Sequence, residues 1–321
     1  MEISEINIQN IEEIRDLYAA FTNVAIEDFL FERPPINFND FKTNFSSGYI
    51  KGYMCKTDGP EAFMLYTDSL NQAVEINIIY VRNNDESYKI KTAILEKFLA
   101  DAKIKYSGKI ISYPMLGTQN DFTPDITNLG FKIIGEMILE FNFFNTISQV
   151  VLAKASIPSL PSPYNIDFWQ DIYFDDAAQT IQEEFSKSND AKFDPRFNSF
   201  EGTKNILQCI TQNYYGKFLP KITTVLKYEH KPIGYCFVNL TTPEIANIPL
   251  IVLDRKHQKQ SFGAFMLRNS VNLLKNSITA DKLNTKIINV TCDTDNFSAV
   301  KSYRKIGFKE KTYYTHAYKA I

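Results

Sequence analysis

The chain has 321 residues, 44% of them hydrophobic, and a formal net charge of −2. That length suits two domains of about 150 residues each, and the near-balanced charge gives no electrostatic case for a nucleic-acid or membrane partner. No run approaches the roughly 18 consecutive apolar residues of a membrane span, and the acidic start M-E-I-S-E-I-N-I lacks the basic-then-apolar pattern of a signal peptide. Cys55, Cys209, Cys236 and Cys292 show no paired spacing, and the three histidines are scattered. A reduced, cytoplasmic chain without a metal site is therefore expected.

In chain order, residues 1–7 alternate like a strand, and 11–21 follow a helical period. Residues 38–45 predict a second short helix. Residues 52–56 and 62–67 predict a hairpin around Asp58-Gly59. An apolar strand over 74–81, a helix over 88–102, a strand over 109–113 and a short helix over 123–128 follow. Leu129-Gly130-Phe131 then opens a strand that ends near Phe143.

Residues 156–163, S-I-P-S-L-P-S-P, hold three prolines, which preclude helix and favour an extended linker. The expected division is a domain over 1–150, a Pro/Ser-rich linker over 151–163 and a second domain over 164–321. In the second domain, 223–228 alternates and His230-Lys231-Pro232 makes a turn. Ile233-Gly234-Tyr235 starts the returning strand, which runs to Leu240. Residues 248–253 form a continuous apolar run, as a central strand requires. A polar loop over 254–260 leads into a helix continuing through Phe265, Met266, Leu267, Val271 and Leu274. Residues 286–292 then predict another strand.

The segment 296–308 reads N-F-S-A-V-K-S-Y-R-K-I-G-F. On a helix, Asn296, Ala299, Val300 and Tyr303 share one face, while Lys301 and Lys305 fall opposite. Gly307 ends the helix and Phe308 opens a strand. A helix built only for packing would not need an amide and a phenol on its inner face. The alternative is a buried Tyr with an Asn serving as a helix cap.

These residues resemble the last motif of the GNAT acyltransferase family, Asn-x-x-Ala-x-x-x-Tyr followed by a basic residue and Gly-Phe. Gln258, Ser261 and Gly263 likewise resemble its pyrophosphate loop, Gln/Arg-x-x-Gly-x-Gly/Ala, with Ser261 in place of the usual Gly. The residue types suit the task. Small side chains let phosphates approach the N–H groups of a helix N-terminus, whose dipole favours anions. The order of elements from Thr223 onward matches the family, and the first 150 residues repeat it, Gly-Phe included. The implied fold class is α+β: two tandem GNAT-like domains, each a mostly antiparallel twisted sheet with a central parallel strand pair and flanking helices.

The resemblance implies an acyl-CoA-dependent N-acyltransferase, with acetyl-CoA as co-substrate and an amine, on a small molecule or a protein, as acceptor. It implies that the stretch Gln258, Lys259, Gln260, Ser261, Phe262, Gly263 and Ala264 holds the pyrophosphate. It also implies that Asn296 and Ala299 line the pantetheine arm, that the Leu253 N–H holds the thioester oxygen, and that Tyr303 protonates the departing sulfur. Glu244 stands where the family often places a carboxylate, and it equally suits a solvated turn. Residues 186–201 cover the acceptor in the family; Asp190, Asp194 and Glu201 lie there among three phenylalanines, a setting that suits a cationic amine. In the first half, setting Leu95 against Leu267 brings Glu86, Lys89 and Lys91 to the loop positions. Counting back from Gly130 brings Ile126 to the Tyr position and Gln119 near the Asn position. That half is expected to be a non-catalytic partner. The alternatives are an acyl-CoA-binding sensor or scaffold without turnover, and a protein-interaction module.

Overall fold

The computed structural model describes residues 1–57, 59–68, 72–82, 87–155 and 159–321. The expected hairpin tip at Asp58, the carboxylate Glu86 and three residues of the expected linker (156–158) lie outside the described residues. The described elements are β1 (Glu2–Glu5), α1 (Arg15–Val24), α2 (Phe38–Ser46), β2 (Lys51–Lys56), β3 (Pro60–Thr67), β4 (Ala73–Val81), α3 (Ser87–Lys105), β5 (Ile110–Met115) and α4 (Thr123–Asn128). They continue with β6 (Lys132–Asn142), α5 (Thr146–Lys154), β7 (Tyr164–Phe168), α6 (Phe174–Phe185), α7 (Asp190–Phe193), α8 (Phe200–Thr211), β8 (Lys217–Phe218), β9 (Thr224–Tyr228) and β10 (Lys231–Cys236). The last are β11 (Asn239–Leu240), β12 (Ile245–Asn247), β13 (Ile251–Leu253), α9 (Phe262–Thr279), β14 (Ile287–Asp293), α10 (Phe297–Ile306) and β15 (Lys309–Ala320).

The chain forms two compact units. The first comprises Met1–Ile134, Lys192–Asp194 and Tyr314–Ile321; the second comprises Gly135–Ala191 and Pro195–Tyr313. This differs from the division expected at residues 151–163, and strand pairing is the reason. Residues Glu136 to Asn142 of β6 pair antiparallel with β14 of the second unit. Residues Thr315 to Ala320 of β15 pair antiparallel with β5 of the first. The Gly-Phe strand of each half therefore completes the sheet of the other half's unit. Residues 151–154, expected in the linker, end helix α5 instead. Asn145 caps that helix, its side chain accepting from the Ser148 N–H.

In the first unit, β1, β2, β3 and β4 form an antiparallel run, and β4 joins β5 in parallel from Ala73 to Glu75. Alternation along the strands sends Tyr53, Cys55, Met64 and Ile76 into the core containing Ile94, Leu95 and Phe98 of α3. Met54, Phe63, Leu65 and Ile78 enter a second core with Leu17 and Phe21 of α1 and Phe41 and Phe45 of α2. In the second unit, β12 joins β14 in parallel, and β7, β9, β10 and β13 form an antiparallel set. One face carries Met266, Leu267, Val271 and Leu274 of α9 with Val300 and Tyr303 of α10. The other carries Ala177, Ala178 and Ile181 of α6 and Ile206, Leu207 and Ile210 of α8. Four of the α9 side chains, Met266, Leu267, Val271 and Leu274, are fully buried. Such burial stabilises by roughly 1.5–3 kcal/mol per side chain, which fixes α9 on the sheet.

Candidate functional site

The parallel pair in the second unit is short. β12 and β14 stay in register only from Ile245 opposite Ile287 to Asn247 opposite Asn289. One more bond, from the Ile248 N–H to the Asn289 carbonyl at 2.9 Å, ends the ladder. Pro249 follows and has no N–H to donate. The apolar run 248–253, expected as one strand, is thus broken. β13 pairs with β10, Leu253 opposite Gly234, while β14 continues along β6, Asp293 opposite Glu136. The carboxyl ends of two parallel strands therefore splay apart.

Leu253 lines that opening. On the β10 side the ladder bonds run from the Asp254 N–H to the Ile233 carbonyl (2.8 Å) and from the Phe237 N–H to the Leu250 carbonyl (3.0 Å). An antiparallel ladder alternates, so Leu253, one residue out of phase with this set, turns its N–H away from β10 and toward the splay.

The loop from Asp254 to Ser261 is built to present a helix end. Asp254 accepts from the Lys256 N–H and starts a tight turn over Arg255–His257. Lys259 (φ 63°) and Ser261 (φ 66°, ψ 12°) sit in the left-handed region. That backbone is why a Gly suits position 261, and Ser261 adopts it at a steric cost. Ser261 makes no side-chain cap bond to α9. The first-turn N–H groups of Phe262, Gly263 and Ala264 have no intrahelical partners. A Cβ placed at Gly263 would meet nothing within 4 Å, so the approach to this turn is open. Phe262 turns its ring inward against Tyr164, centroids 4.4 Å apart. The Gln258 side chain is exposed but folds back on its own loop. It donates to the Leu253 carbonyl (2.8 Å) and to Glu184 of α6 (3.0 Å), and Glu184 also accepts from the Arg255 N–H (3.0 Å). Lys259 and Gln260 are exposed.

Tyr303 is buried on the α9 face of the sheet. Desolvation first, then the nearby thiols of Cys292 and Cys236 and the charge of Asp190, hold its phenol well above the ordinary value of 10.0. It is a neutral O–H across the physiological range. Burial likewise pushes the Cys292 thiol up to about 12, so it stays protonated. Gly307 terminates α10 in the left-handed conformation (φ 107°), as the Gly-Phe spacing predicts. Asn296, for which the resemblance implies a pantetheine contact, also serves as the helix cap that the sequence offered as the alternative. It is exposed, and its Oδ1 caps α10 by accepting from the Ala299 N–H at 3.2 Å. Ala299, half-buried, stays on the inner side. Glu244 lies at the closed end of the β12–β14 pair, opposite the splay. It is half-exposed and ion-paired with Lys286 at 2.7 Å. The solvated-turn alternative fits it, and the role of base does not.

Sequence reasoning missed a buried carboxyl, Glu136. It is 3% exposed and stands opposite Asp293 in the β6–β14 register, on the sheet face away from Cys292. Burial foremost, with Asp293 beside it and Asp190 and Asp295 near, pushes its carboxyl up to about 9. Asp293 accepts from the Asn189 side chain at 2.9 Å. The one signal in the sequence was a charged residue inside the apolar strand I-I-G-E-M-I-L.

The first unit fills the equivalent opening. Past the parallel β4–β5 segment, Gln119 Oε1 accepts from the Ile79 N–H (3.3 Å) and the Tyr113 hydroxyl (2.7 Å). Gln119 is buried, and Gly117 (φ 59°) delivers it past the Asp28 carbonyl, which a Cβ would strike at 2.0 Å. Ile126 is fully buried. The Lys91 ammonium lies over the rings of Tyr88 (5.9 Å) and Phe122 (5.8 Å), and burial lowers its pKa.

No family model and no curated protein matches the chain. Solved structures do. A GCN5-related N-acetyltransferase from Sphaerobacter thermophilus matches with a TM-score of 0.66 at 11% identity, covering 99% of this chain and 95% of that one. A tandem GNAT protein from the clavulanic acid biosynthesis pathway matches at 0.61 and 11% identity, covering 99% and 98%. A GNAT-family acetyltransferase from Colwellia psychrerythraea matches at 0.52 and 9% identity over the full length of both chains. The chain therefore has the tandem GNAT fold. Among the described residues, no helix is long and apolar enough to cross a membrane.

Proposed function

We propose that the second unit transfers an acyl group, acetyl in the first instance, from acyl-CoA to an amine. The observation that carries the reading is the conjunction, at one splay, of the neutral phenol of Tyr303, the inward-turned N–H of Leu253 and the uncapped first turn of α9. The residues fit the thioester ligand. The N–H groups of Phe262, Gly263 and Ala264 receive the pyrophosphate, favoured by the dipole of an 18-residue helix. Gln258 acts indirectly, bracing the loop against Leu253 and Glu184. The Leu253 N–H bonds the thioester oxygen as negative charge builds on it. The amine attacks as its free base. The Tyr303 hydroxyl donates a proton to the departing sulfur and recovers one from the nitrogen, so no covalent enzyme intermediate is required.

The first unit, in this reading, is a non-catalytic partner. Gln119 occupies its splay, and Ile126 has no proton to give. Titration of the full chain with CoA and acetyl-CoA, followed by thiol release with a panel of amines, tests the assignment. Binding with turnover supports it. Binding without turnover of any amine would leave a sensor or scaffold. Absence of binding would leave a protein-interaction module.

A further inference from the structure

Parallel strands are ordinarily apolar on both faces, and in the second unit β12 and β14 are not. Ala246, Ile288, Val290 and Cys292 point into the α9 core, so alternation turns Asn247, Asn289 and Thr291 the other way. The apolar core under α6 and α8 does not cover them: it takes Val225, Tyr235, Phe237, Leu250 and Val252, and no side chain of β6, β12 or β14. Asn289 is buried, Asn247 is half-buried and Thr291 is exposed. Asn247 and Asn289 form the last rung of the parallel pair, so they stand at the root of the splay. Thr291 lies two residues farther along β14, where the strands have parted. The α9 face of the splay is closed by Tyr303 and its core, which leaves this polar face for the acceptor.

The rung is built of neutral groups. Asn247 Nδ2 donates to Asn289 Oδ1 at 2.7 Å. Asn239, opposite Asn247 on β11, is buried and donates to the carbonyls of Ile210 (2.9 Å) and Gly216 (3.0 Å). Its Oδ1 is buried without a hydrogen-bond partner among the described residues, so the rung is short of donors. The charges on this face are already engaged. Glu140, opposite Asn289 on β6, is ion-paired with Lys311 at 3.1 Å. Asp293 is hydrogen-bonded to Glu136 and accepts from Asn189. An amide both donates and accepts, and so does a threonine hydroxyl. The ligand group with the same double capacity, and with a donor to supply, is a hydroxyl. An alkyl chain laid here would leave Asn247 and Thr291 desolvated without partners, and a second ammonium would meet carboxylates already bound.

We propose that Asn247 and Thr291, with Asn289 holding the Asn247 amide in place, select the acceptor, and that the acceptor is an amine bearing several hydroxyl groups. This rests on the acyl-transfer reading above, which names the acceptor only as an amine. A site built to hydrogen-bond a hydroxyl rejects the analogue that lacks it, because its own polar groups are then left unpaired.

The test compares three six-carbon acceptors on the full chain: an aminopolyol, hexylamine and hexanediamine. Thiol release from acetyl-CoA gives kcat/KM, expressed per free-base amine so that differences in amine basicity drop out. The aminopolyol should exceed both others by about tenfold or more. Asn247→Leu, close in size and apolar, should bring the ratio near one. Thr291→Val, at an exposed position, should lower the ratio without threatening the fold, so the test stands even if Asn247→Leu does not fold. Acetyl-CoA affinity, read by calorimetry, should be the same in both variants as in the wild type. Equal use of the three amines overturns the proposal, as does a preference that Thr291→Val leaves unchanged or a parallel loss of acetyl-CoA affinity. Calorimetry with the aminopolyol and CoA together separates this from failure of acyl transfer itself. If no amine is turned over, aminopolyol binding that Thr291→Val weakens supports the assignment, and absence of aminopolyol binding overturns it.

Discussion

Replacing Glu136 by Gln should stabilise the protein, and the gain should depend on pH in a defined way. Glu136 is 3% exposed, and burial beside Asp293 raises its carboxyl from the ordinary 4.5 to about 9. Below 4.5 the folded and unfolded chains both hold this proton, and the position is neutral. Between 4.5 and about 9 the folded chain keeps a proton that the unfolded chain has released, so stability falls as pH rises through that window and levels off above it. Each unit corresponds to about 1.4 kcal/mol, so the interval up to pH 7 bounds the effect at about 3 kcal/mol. Glu136 and Asp293 titrate as a pair, so the expected gain at pH 7–8 is about 1–3 kcal/mol, shrinking to nothing near pH 4.5. Each kcal/mol raises Tm by roughly 2–4 °C in a unit of this size. Thermal unfolding of both proteins at a series of pH values reads it. A gain that is equal at pH 5 and pH 8, or a loss at pH 8, would refute the account of Glu136 as a buried carboxyl without a cation.

Tyr303→Phe should keep acetyl-CoA affinity and lower turnover by about 10² to 10⁴; unchanged turnover would assign the proton to another donor. Gly263→Glu should abolish CoA binding with Tm unchanged, because a Cβ there meets nothing within 4 Å and the added charge faces the phosphates. The wild type should bind one CoA per chain by calorimetry, and a stoichiometry of two would sink the closed-splay reading of the first unit. Ser261→Gly should relieve a left-handed strain of about 1–2 kcal/mol against a Gly entropy cost of about 0.5–1 kcal/mol. The net gain, read by thermal unfolding, is about 0.5–1 kcal/mol with CoA binding retained. A fragment of residues 160–321 should be poorly soluble or inactive, because it lacks the β6 strand that pairs along β14; a soluble, fully active fragment would refute this.

The parts of the site legible in the sequence are those carried by contiguous chain. The loop around Ser261 and the helix from Asn296 to Gly307 keep their meaning because backbone spacing alone sets which groups lie near which. Asn296 was legible in two ways, as pantetheine contact and as cap, and hydrogen bonding shows the cap. Glu136 was not legible, since it faces Asp293 only through a pairing between distant strands. Alternation identifies a strand and its two faces but not the neighbour it will choose. The exchange of β6 and the end of β15 between units escaped for the same reason, and the expected boundary near the prolines with it. Helix α5 escaped because its T-I-S-Q-V-V start is rich in β-branched residues, which weaken helix propensity.

The pairing of Thr315 to Ala320 with β5 also sets a timetable. The first unit begins at the first residue yet takes its last strand from residues translated after the whole second unit. Until that segment emerges, β5 presents an open edge of unpaired backbone, the kind of surface that recruits foreign strands. Folding is thereby tied to long-range closure, which is slow. A chain stalled or cut shortly before residue 314 would carry a nearly finished second unit and a first unit still awaiting its edge, so the penalty for late truncation falls on the half made earliest.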